Sequence, residues 1–304
     1  MLNVNSSNKN MAFQLRNYHL QVIVSVQQED ETERHLLMND HLSTFHDCAK
    51  HISRLKVDNT ALVHVTKEGD ASEYFASPHT TVDGKSKIKL LSFNTADYAD
   101  HVNTEMNSYS FQAYWRSCAF LLGALAETSL RADVSIIGAL PCKVESGRFI
   151  YATCIDELHD WKPSQVELDI LTRKVFRDYI YKALPFEPIR VPRMFAAELF
   201  AENQRKADCI LNHEDDDVIL CKVGEHVDVV EGPVISNTRQ IGRFAVTGVD
   251  YVDAQYHFRG VSLPSPVKCS SYSWDLIVNA ATVSSAPRLL QSGTEPSQNE
   301  LRAS

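Results

Sequence analysis

Three histidines, His41, His46 and His51, recur every five residues beside Cys48, and imidazole and thiol groups are common zinc ligands. A step of five residues along an α-helix turns by about 140° beyond a full turn, so these imidazoles would point in different directions. The acidic run at 213–217 offers carboxylates to a hard cation, but it lacks the glycine of the calcium-binding loop pattern. We therefore expect no metal site and no cofactor.

The run DGKSK at 83–87 resembles the end of a phosphate-binding loop. Such a loop needs a glycine five residues before its final Gly-Lys pair, and His79 occupies that position, so we predict a turn between strands instead. The Ser nucleophile signature G-x-S-x-G is absent as well. The seven cysteines are odd in number and form no Cys-x-x-Cys pair, which favours free thiols in a reducing compartment.

The segment 170–206 is the most basic part of the chain, with eight Lys and Arg against four Asp and Glu, a net charge of +4. Phosphate binding depends on clustered cations, so Arg173, Lys174 and Arg177 on neighbouring helical turns are our candidates for a local RNA contact. A solvated helix face is the alternative. The net charge of −9 for the whole chain argues against a general nucleic-acid coat.

The first elements along the chain predict a small module of strands around one helix. Hydrophobic and β-branched runs predict strands at 19–26, 61–65 and 87–93, and apolar residues at helical spacing predict a helix at 42–53. This order of strand, helix and further strands is typical of a β-grasp. A polar stretch at 95–110 is predicted to be a linker.

A second region with its own helices and strands follows. Apolar spacing predicts a helix at 113–130, and Gly123 within it permits the close approach of another element. Ser164 and Glu167 form a capping box that predicts the start of a helix running to about Ala183. The remaining predicted elements are a helix at 193–204 and strands at 135–140, 148–155, 217–223, 226–230 and 243–249. These patterns predict an α+β protein.

The length of 304 residues suggests two domains, which we place at 18–94 and 111–283. Residues 1–17 contain no Asp or Glu and two cations, which is compatible with a matrix-targeting leader or with a short disordered start. The polar stretch at 284–304 contains two prolines and predicts a disordered tail. No run of 18 apolar residues occurs, so no membrane span is expected.

Several motifs occur in the order found in the editing region of threonyl-tRNA synthetase. They are YWRSCAFLLGALAE (114–127), GRFIY (147–151), LPFEPIRV (184–191), AAELFAENQRKADCI (196–210), HVDVVEGPVISNT (226–238) and FRGVSLP (258–264). The module at 18–94 resembles the TGS domain, a ubiquitin-like β-grasp that precedes editing in these synthetases. The resemblance covers about residues 19–265 and implies a TGS-like β-grasp domain followed by a threonyl/alanyl-tRNA synthetase editing-like domain.

The editing site of that family uses one element with two histidines and a second element with a cysteine and a histidine to hydrolyse a mischarged ester. This chain has Arg116, Phe120, Val230 and Val234 where the resemblance places those His and Cys residues. Arginine stays protonated and is a poor base, and Phe and Val carry neither a lone pair nor an acidic proton. The class II catalytic core is expected where only the polar tail remains, so the resemblance implies neither editing nor aminoacylation.

This combination is similar to one family, the mitochondrial large-subunit ribosomal protein related to threonyl-tRNA synthetase. Its members share the runs YWRSCA, LPFE, D-V-x-EGP and F-x-GVSLP, found here at 114–119, 184–187, 228–233 and 258–264. The resemblance implies a structural protein of the mitochondrial ribosome in the matrix, supporting mitochondrial translation without being an enzyme. Expected partners are large-subunit ribosomal proteins and local rRNA, with no membrane span and no small-molecule substrate.

Two alternatives stay open. A free-standing deacylase acting on mischarged tRNA would need a replacement catalytic group such as Cys118, Ser117 or His226, although Cys118 lies on an apolar stripe and His226 is expected at a strand edge. The second alternative is a regulatory module that binds tRNA or a protein partner through the TGS-like domain. The acidic net charge argues against binding of free tRNA.

Overall fold

A computed structural model describes most of the chain, namely residues 20–69, 72–93, 105–141, 147–156, 158 and 161–283. The predicted leader (1–17) and tail (284–304), and most of the predicted linker (95–110), lie outside the described residues. Within them, three β-sheets are packed with helices, which confirms the α+β class. No helix in these ranges is long and apolar enough to cross a membrane, and the six cysteines described there are free thiols.

The first unit is a five-stranded mixed sheet. Its elements are β1 (Gln21–Gln27), β2 (Glu33–Asn39), α1 (Phe45–Ile52), α2 (Arg54–Asn59), β3 (Thr60–Lys67), β4 (Glu73–Ala76) and β5 (Ser86–Ser92). The strand order is β2-β1-β5-β3-β4, with β1 parallel to β5 and the other neighbours antiparallel. Thr44 and Asp47 form a capping box at the start of α1, and Phe45 and Cys48 pack into one core with Ile88 of the sheet.

The second unit contains the other two sheets. Its elements are α3 (Glu105–Ser129), β6 (Val134–Ala139), β7 (Phe149–Ile155), α4 (Gln165–Val175), a π-helical turn (Phe176–Ile180), β8 (Glu187–Pro192), α5 (Arg193–Leu199), α6 (Gln204–Leu211), β9 (Asp217–Val223), β10 (His226–Val230), a 3₁₀ turn (Thr238–Gln240), β11 (Ile241–Val252), β12 (Gln255–Pro264) and α7 (Ser271–Val283). One antiparallel sheet has the order β11-β12-β7-β6, and the other has the order β10-β9-β8.

Helix α3 lies on the four-stranded sheet and forms the centre of the main core. Its side chains from Leu121 to Leu125 are fully buried apart from Gly123, which has no side chain. A Cβ added at Gly123 would lie 2.5 Å from Cζ of Tyr151 on β7, so this glycine lets the tyrosine ring lie directly against the helix. The close approach expected at Gly123 is therefore present.

Three predicted helix boundaries are wrong. Helix α3 begins at Glu105 instead of 113, because its first turns carry no apolar periodicity that a sequence pattern could show. The predicted helix at 193–204 ends at Leu199, and α6 begins separately after Asn203, whose side chain accepts a hydrogen bond from the Lys206 amide. The capping box at Ser164 is confirmed, but α4 passes into a π-helical turn after Val175.

The two units contact each other along the segment between β10 and β11. The backbone amide of Val234 donates to the hydroxyl of Ser77 at 2.8 Å, and the Gln240 side chain donates to the Thr60 carbonyl at 2.8 Å. The hydroxyl of Ser236 lies 3.3 Å from Nε2 of His79. These buried or half-buried polar contacts fix the first unit on the second.

Candidate functional site

A cleft of about 450 Å³ opens in the second unit. Residues of α3, β6, β7, α6, β9 and β10 line it, and most of its wall is apolar, including Trp115, Ile137, Leu140, Ile210 and Val218. Concave, mostly apolar sites with a few convergent polar groups are where ligands and substrates usually bind. This cleft is therefore the candidate site.

Three of the four positions that the resemblance assigned to lost editing groups line this cleft: Arg116, Phe120 and Val230. The fourth, Val234, is fully buried and is not part of the lining. Phe120 packs edge-on against the rings of Phe186 and His226, with centroids 6.1 Å and 4.8 Å away. The site thus presents a guanidinium, an aromatic ring and an aliphatic side chain, and none of these accepts a proton from water.

Arg116 is held in place by the backbone on the opposite wall. Its guanidinium donates a short hydrogen bond to the carbonyl of Pro233. The neighbouring Gly232 has φ +131°, and a Cβ at that position would lie 3.2 Å from Cζ of Arg116. Glycine is needed here both for its backbone conformation and for the space that the guanidinium occupies. Arg116 therefore ties α3 to the segment that follows β10.

The polar groups at the base of the cleft are Tyr151, Lys206 and Asp228, all at most 4% exposed. Nζ of Lys206 lies 2.5 Å from Oδ1 of Asp228 and donates to the Ile137 carbonyl at 2.7 Å. Asp228 also accepts a short hydrogen bond from the Tyr151 hydroxyl and one of 2.7 Å from the Val229 amide. Each charged group in the cluster is thus compensated by protein atoms, as buried charges require.

Burial raises the pKa of Tyr151 well above its usual value, and the adjacent Asp228 carboxylate raises it further. The phenol therefore keeps its proton at neutral pH and serves as a hydrogen-bond donor to Asp228. Sequence reasoning did not single out this cluster, and it counted Lys206 among the basic surface residues of 170–206. Asp228 lies two residues before Val230, and residues two apart on a strand share a face. This spacing could have placed Asp228 in the same cleft as Val230.

The three groups considered as replacements for the lost catalytic residues do not line the cleft. The hydroxyl of Ser117 is buried, donates to the Ala113 carbonyl at 2.7 Å and accepts from the Ile235 amide at 3.0 Å. Cys118 is fully buried in the main core. Nδ1 of His226 lies 2.6 Å from the Glu127 carboxylate, and its side chain has no exposed surface.

The cleft does have a different thiol and imidazole in its lining, Cys209 and His213, which sequence reasoning did not connect with it. Cys209 is exposed on α6, and His213 follows the end of that helix. Nδ1 of His213 accepts a hydrogen bond from the Asp215 amide at 3.2 Å, which places the proton of a neutral ring on Nε2. The thiol of Cys209 is a nucleophile type and the imidazole of His213 is a base type, and both line the cleft.

The basic helix face is only partly available for an RNA contact. Lys174 and Arg177 both pair with Asp178, at 2.8 Å each, and Arg177 makes a second bond of 3.0 Å to the same carboxylate. Hydrogen bonds from Arg177 and Lys174 hold the pKa of Asp178 far below its usual range. Arg173 is exposed and has no carboxylate within ion-pair distance among the described residues.

The histidines near the start of the chain do not gather around one point. His41 lies before α1, with Nε2 3.6 Å from Asp40 and 3.8 Å from Asp83, all near the surface. His46 instead lies against His79, with ring centroids 4.4 Å apart and ring planes tilted by 31°. Residues 83–85 of the run lie in the connection between β4 and β5, as predicted, and Ser86 and Lys87 begin β5. The Gly84 amide donates to Asp40.

Known proteins similar to this chain include a ribosomal protein and a synthetase. Large ribosomal subunit protein mL39 of Drosophila melanogaster is 24% identical over 265 residues, which cover 84% of this chain and 75% of that protein. Probable threonine–tRNA ligase 1, cytoplasmic, of Dictyostelium discoideum is 30% identical over 137 residues, which cover 45% of this chain and 18% of the ligase. No family model matches the chain. The relationship that the motifs predicted is confirmed: the chain is a relative of large ribosomal subunit protein mL39 and, over a shorter region, of threonine–tRNA ligase.

Proposed function

We propose that this chain is a non-catalytic structural constituent of the mitochondrial large ribosomal subunit that supports mitochondrial translation from the matrix. The similarity to large ribosomal subunit protein mL39 extends over 84% of the chain and supports this role. Its partners are then neighbouring large-subunit proteins, with rRNA contact restricted to local basic groups. The shorter similarity to a threonine–tRNA ligase supports descent from a synthetase, without its activity.

The composition of the cleft is the observation that carries the proposal. Hydrolysis of an ester needs a group that takes a proton from water and a second group that returns it to the leaving oxygen. Arg116, Phe120 and Val230 supply neither, and the remaining charged pair at the base, Lys206 and Asp228, is compensated within the protein. The polar groups at the base thus bind one another and stabilise the fold, while Cys209, His213 and Glu231 line the cleft elsewhere.

The two units correspond in this proposal to a TGS-like domain at 18–94 and a degenerate editing-like domain at 111–283. In the first, the order β2-β1-β5-β3-β4 with a parallel central pair and a helix packed on the sheet supports a β-grasp. In the second, the motif residues Arg116 and Val230 face one cleft, which supports the editing-like assignment. The linker predicted at 95–110 is shortened in this proposal, because residues 105–110 belong to α3.

Sedimentation tests the proposal directly. Mitochondrial lysate is separated on a sucrose gradient, and the fractions are probed for this chain, for a core large-subunit protein and for a soluble matrix enzyme. The chain is expected to follow the large-subunit protein, and to move with it when low magnesium dissociates the subunits. A profile that matches the matrix enzyme in both conditions would refute the proposal.

A deacylase remains the second candidate, because Cys209 and His213 both line the cleft. Purified chain is incubated with seryl-tRNA, and release of serine is measured. Turnover that disappears in Cys209→Ala and His213→Ala, but persists in the matched thiol control Cys269→Ala, would favour hydrolysis. We expect the wild type and the three variants to release serine no faster than the ester hydrolyses without protein.

A further inference from the structure

One face of α4 carries a continuous row of exposed residues. Val166, Ile170, Arg173 and Arg177 follow at helical intervals of four, three and four residues, so at about 100° per residue they lie on one side. Val166 and Ile170 are 65% and 51% exposed, and the side chain of Arg177 is 72% exposed. Tyr181, 78% exposed, continues the row after the π-helical turn. We name these five residues the outer stripe.

The outer stripe lies away from the core, although the Tyr181 ring lies 5.7 Å from the ring of Phe176. The opposite face of the helix buries Leu168, Leu171 and Val175, and these side chains belong to the main core. β-Branched residues on a solvated helix face are slightly unfavourable, because they lose side-chain freedom without burying surface. Val166 and Ile170 therefore add no stability to this helix through burial, and they offer apolar surface to another molecule.

The charges around the outer stripe change along its length. Glu167 and Asp169 flank its apolar start on either side; Glu167 caps the helix, and Asp169 accepts a hydrogen bond from Gln165 at 3.0 Å. At the far end, Asp178 compensates the guanidinium of Arg177 through two hydrogen bonds. Arg173, in the middle, is exposed and lacks a carboxylate partner among the residues that the structure describes.

This pattern fits a protein surface better than RNA. Phosphates would meet carboxylates beside Val166 and Ile170, and they would lose water against aliphatic side chains that donate no hydrogen bond. Protein interfaces, in contrast, combine buried aliphatic groups with Arg and Tyr, the residue types that contribute most to their binding energy. Arg173 then needs one carboxylate from the partner.

Resting on the proposed function, we propose that the outer stripe is the surface by which this chain docks onto an amphipathic helix of a neighbouring protein in the large ribosomal subunit. The partner helix places its apolar face on Val166 and Ile170 and a carboxylate opposite Arg173. From Val166 to Tyr181 the stripe spans about 22 Å, enough for four turns of a partner helix. This assigns Arg173 to a protein contact and replaces the RNA contact that sequence reasoning suggested for it.

Site-specific photo-crosslinking in the assembled particle tests the docking surface. The full-length chain carries p-benzoylphenylalanine in place of Ile170 or, as a matched control on another exposed helix face, in place of Leu276, which is 52% exposed. Large subunits are isolated after irradiation, and the crosslinked peptides or nucleotides are identified by mass spectrometry. Position 170 is expected to label one protein segment with apolar residues at helical spacing and a carboxylate within one turn of the labelled residue.

A charge exchange then identifies the contact of Arg173. Arg173→Glu is expected to lower the crosslink yield at position 170 by about tenfold, the effect of losing one interface ion pair, and reversal of the partner carboxylate to Lys should restore it. Arg131→Glu, which changes another exposed arginine, is the control and should leave the yield unchanged.

The possible failures of the two proposals can be told apart. Labelling of rRNA at position 170, or no label there in particles that contain the chain, would overturn the docking surface and leave the ribosomal role intact. Absence of the wild-type chain from isolated large subunits would overturn both. The exposed substitutions should leave the unfolding transition of the purified chain unchanged, so a lost crosslink reports the interface.

Discussion

The buried pair of Lys206 and Asp228 should behave as a structural element whose two members are strongly coupled. At 2.5 Å and an effective dielectric constant of about 20, their attraction is about 7 kcal/mol. Withdrawing both charges from water costs several kcal/mol for each, so the net contribution of the intact pair is small. Removing one partner is different, because the other charge then stays buried without compensation.

We expect Asp228→Asn to lower the free energy of unfolding by about 3–5 kcal/mol, since the ammonium of Lys206 then has no carboxylate to compensate its charge and keeps the Ile137 carbonyl and the Phe200 ring, 5.9 Å from Nζ. The loss of unfolding free energy in Lys206→Met should be at the lower end of this range, because Asp228 keeps the hydrogen bonds from the Tyr151 hydroxyl and the Val229 amide. The double variant should be within about 2 kcal/mol of the wild type, and since each single variant loses at least about 3 kcal/mol, the coupling energy should be at least about 4 kcal/mol.

Denaturation by urea at neutral pH, followed by tryptophan fluorescence and by circular dichroism, measures these differences. Lys174→Met provides the matched control, because Lys174 pairs with Asp178 at 2.8 Å near the surface and should contribute no more than about 1 kcal/mol. Additive losses in the double variant, or a loss below about 1 kcal/mol in both single variants, would show that the pair is not a closed structural unit and would refute the reasoning.

The other predictions concern a close contact, a helix cap and an acid-sensitive junction. Gly123→Ala should cost about 1–3 kcal/mol in denaturant unfolding, because its Cβ would displace the Tyr151 ring; an unchanged midpoint would contradict the packing at this contact. Ser164→Ala should cost about 1 kcal/mol by the same measurement, because it removes the capping box of α4, and Ser164→Asp should retain most of the stability. Burial lowers the pKa of His79 to about 4, so the unfolded chain takes up the proton first and stability should fall as the pH falls from about 6.5 towards 4. The loss should approach about 3 kcal/mol and should be absent in His79→Gln; an equally steep acid dependence in that variant would exclude His79 as the cause.

The sequence was sufficient to predict the elements that have strong hydrophobic periodicity or clear capping and turn residues. The capping box at Ser164 and the close approach at Gly123 both depend on local chemistry, and both are present. Strand β2 (Glu33–Asn39) was not predicted, because four of its seven residues are exposed and its register is set by pairing with β1. Helix α7 (Ser271–Val283) was missed for a similar reason, since only a narrow face of it packs on the sheet.

The candidate site could be predicted only in part, for a physical reason. The resemblance assigned Arg116, Phe120 and Val230 to one site, and all three line one cleft in the structure. Lys206 looked like another surface cation in a basic segment, because nothing local distinguishes a buried lysine from an exposed one. Its burial depends on Asp228 from a strand 22 residues later and on Tyr151 from another sheet, and such long-range compensation is a property of the fold.

In the proposed descent from a synthetase, contacts within the fold explain how the chemistry of a site can be lost while its shape is kept. Arg116 and Phe120 stand where the resemblance places histidines, and each has a partner within the fold, Pro233 for the guanidinium and Phe186 for the ring. Single changes at Lys206 or Asp228 would instead remove several kcal/mol from a domain whose total stability is typically about 5–15 kcal/mol. Retention of a buried lysine and aspartate at the base of a cleft is therefore expected from stability alone. It becomes evidence for catalysis only where a group beside them exchanges protons with water.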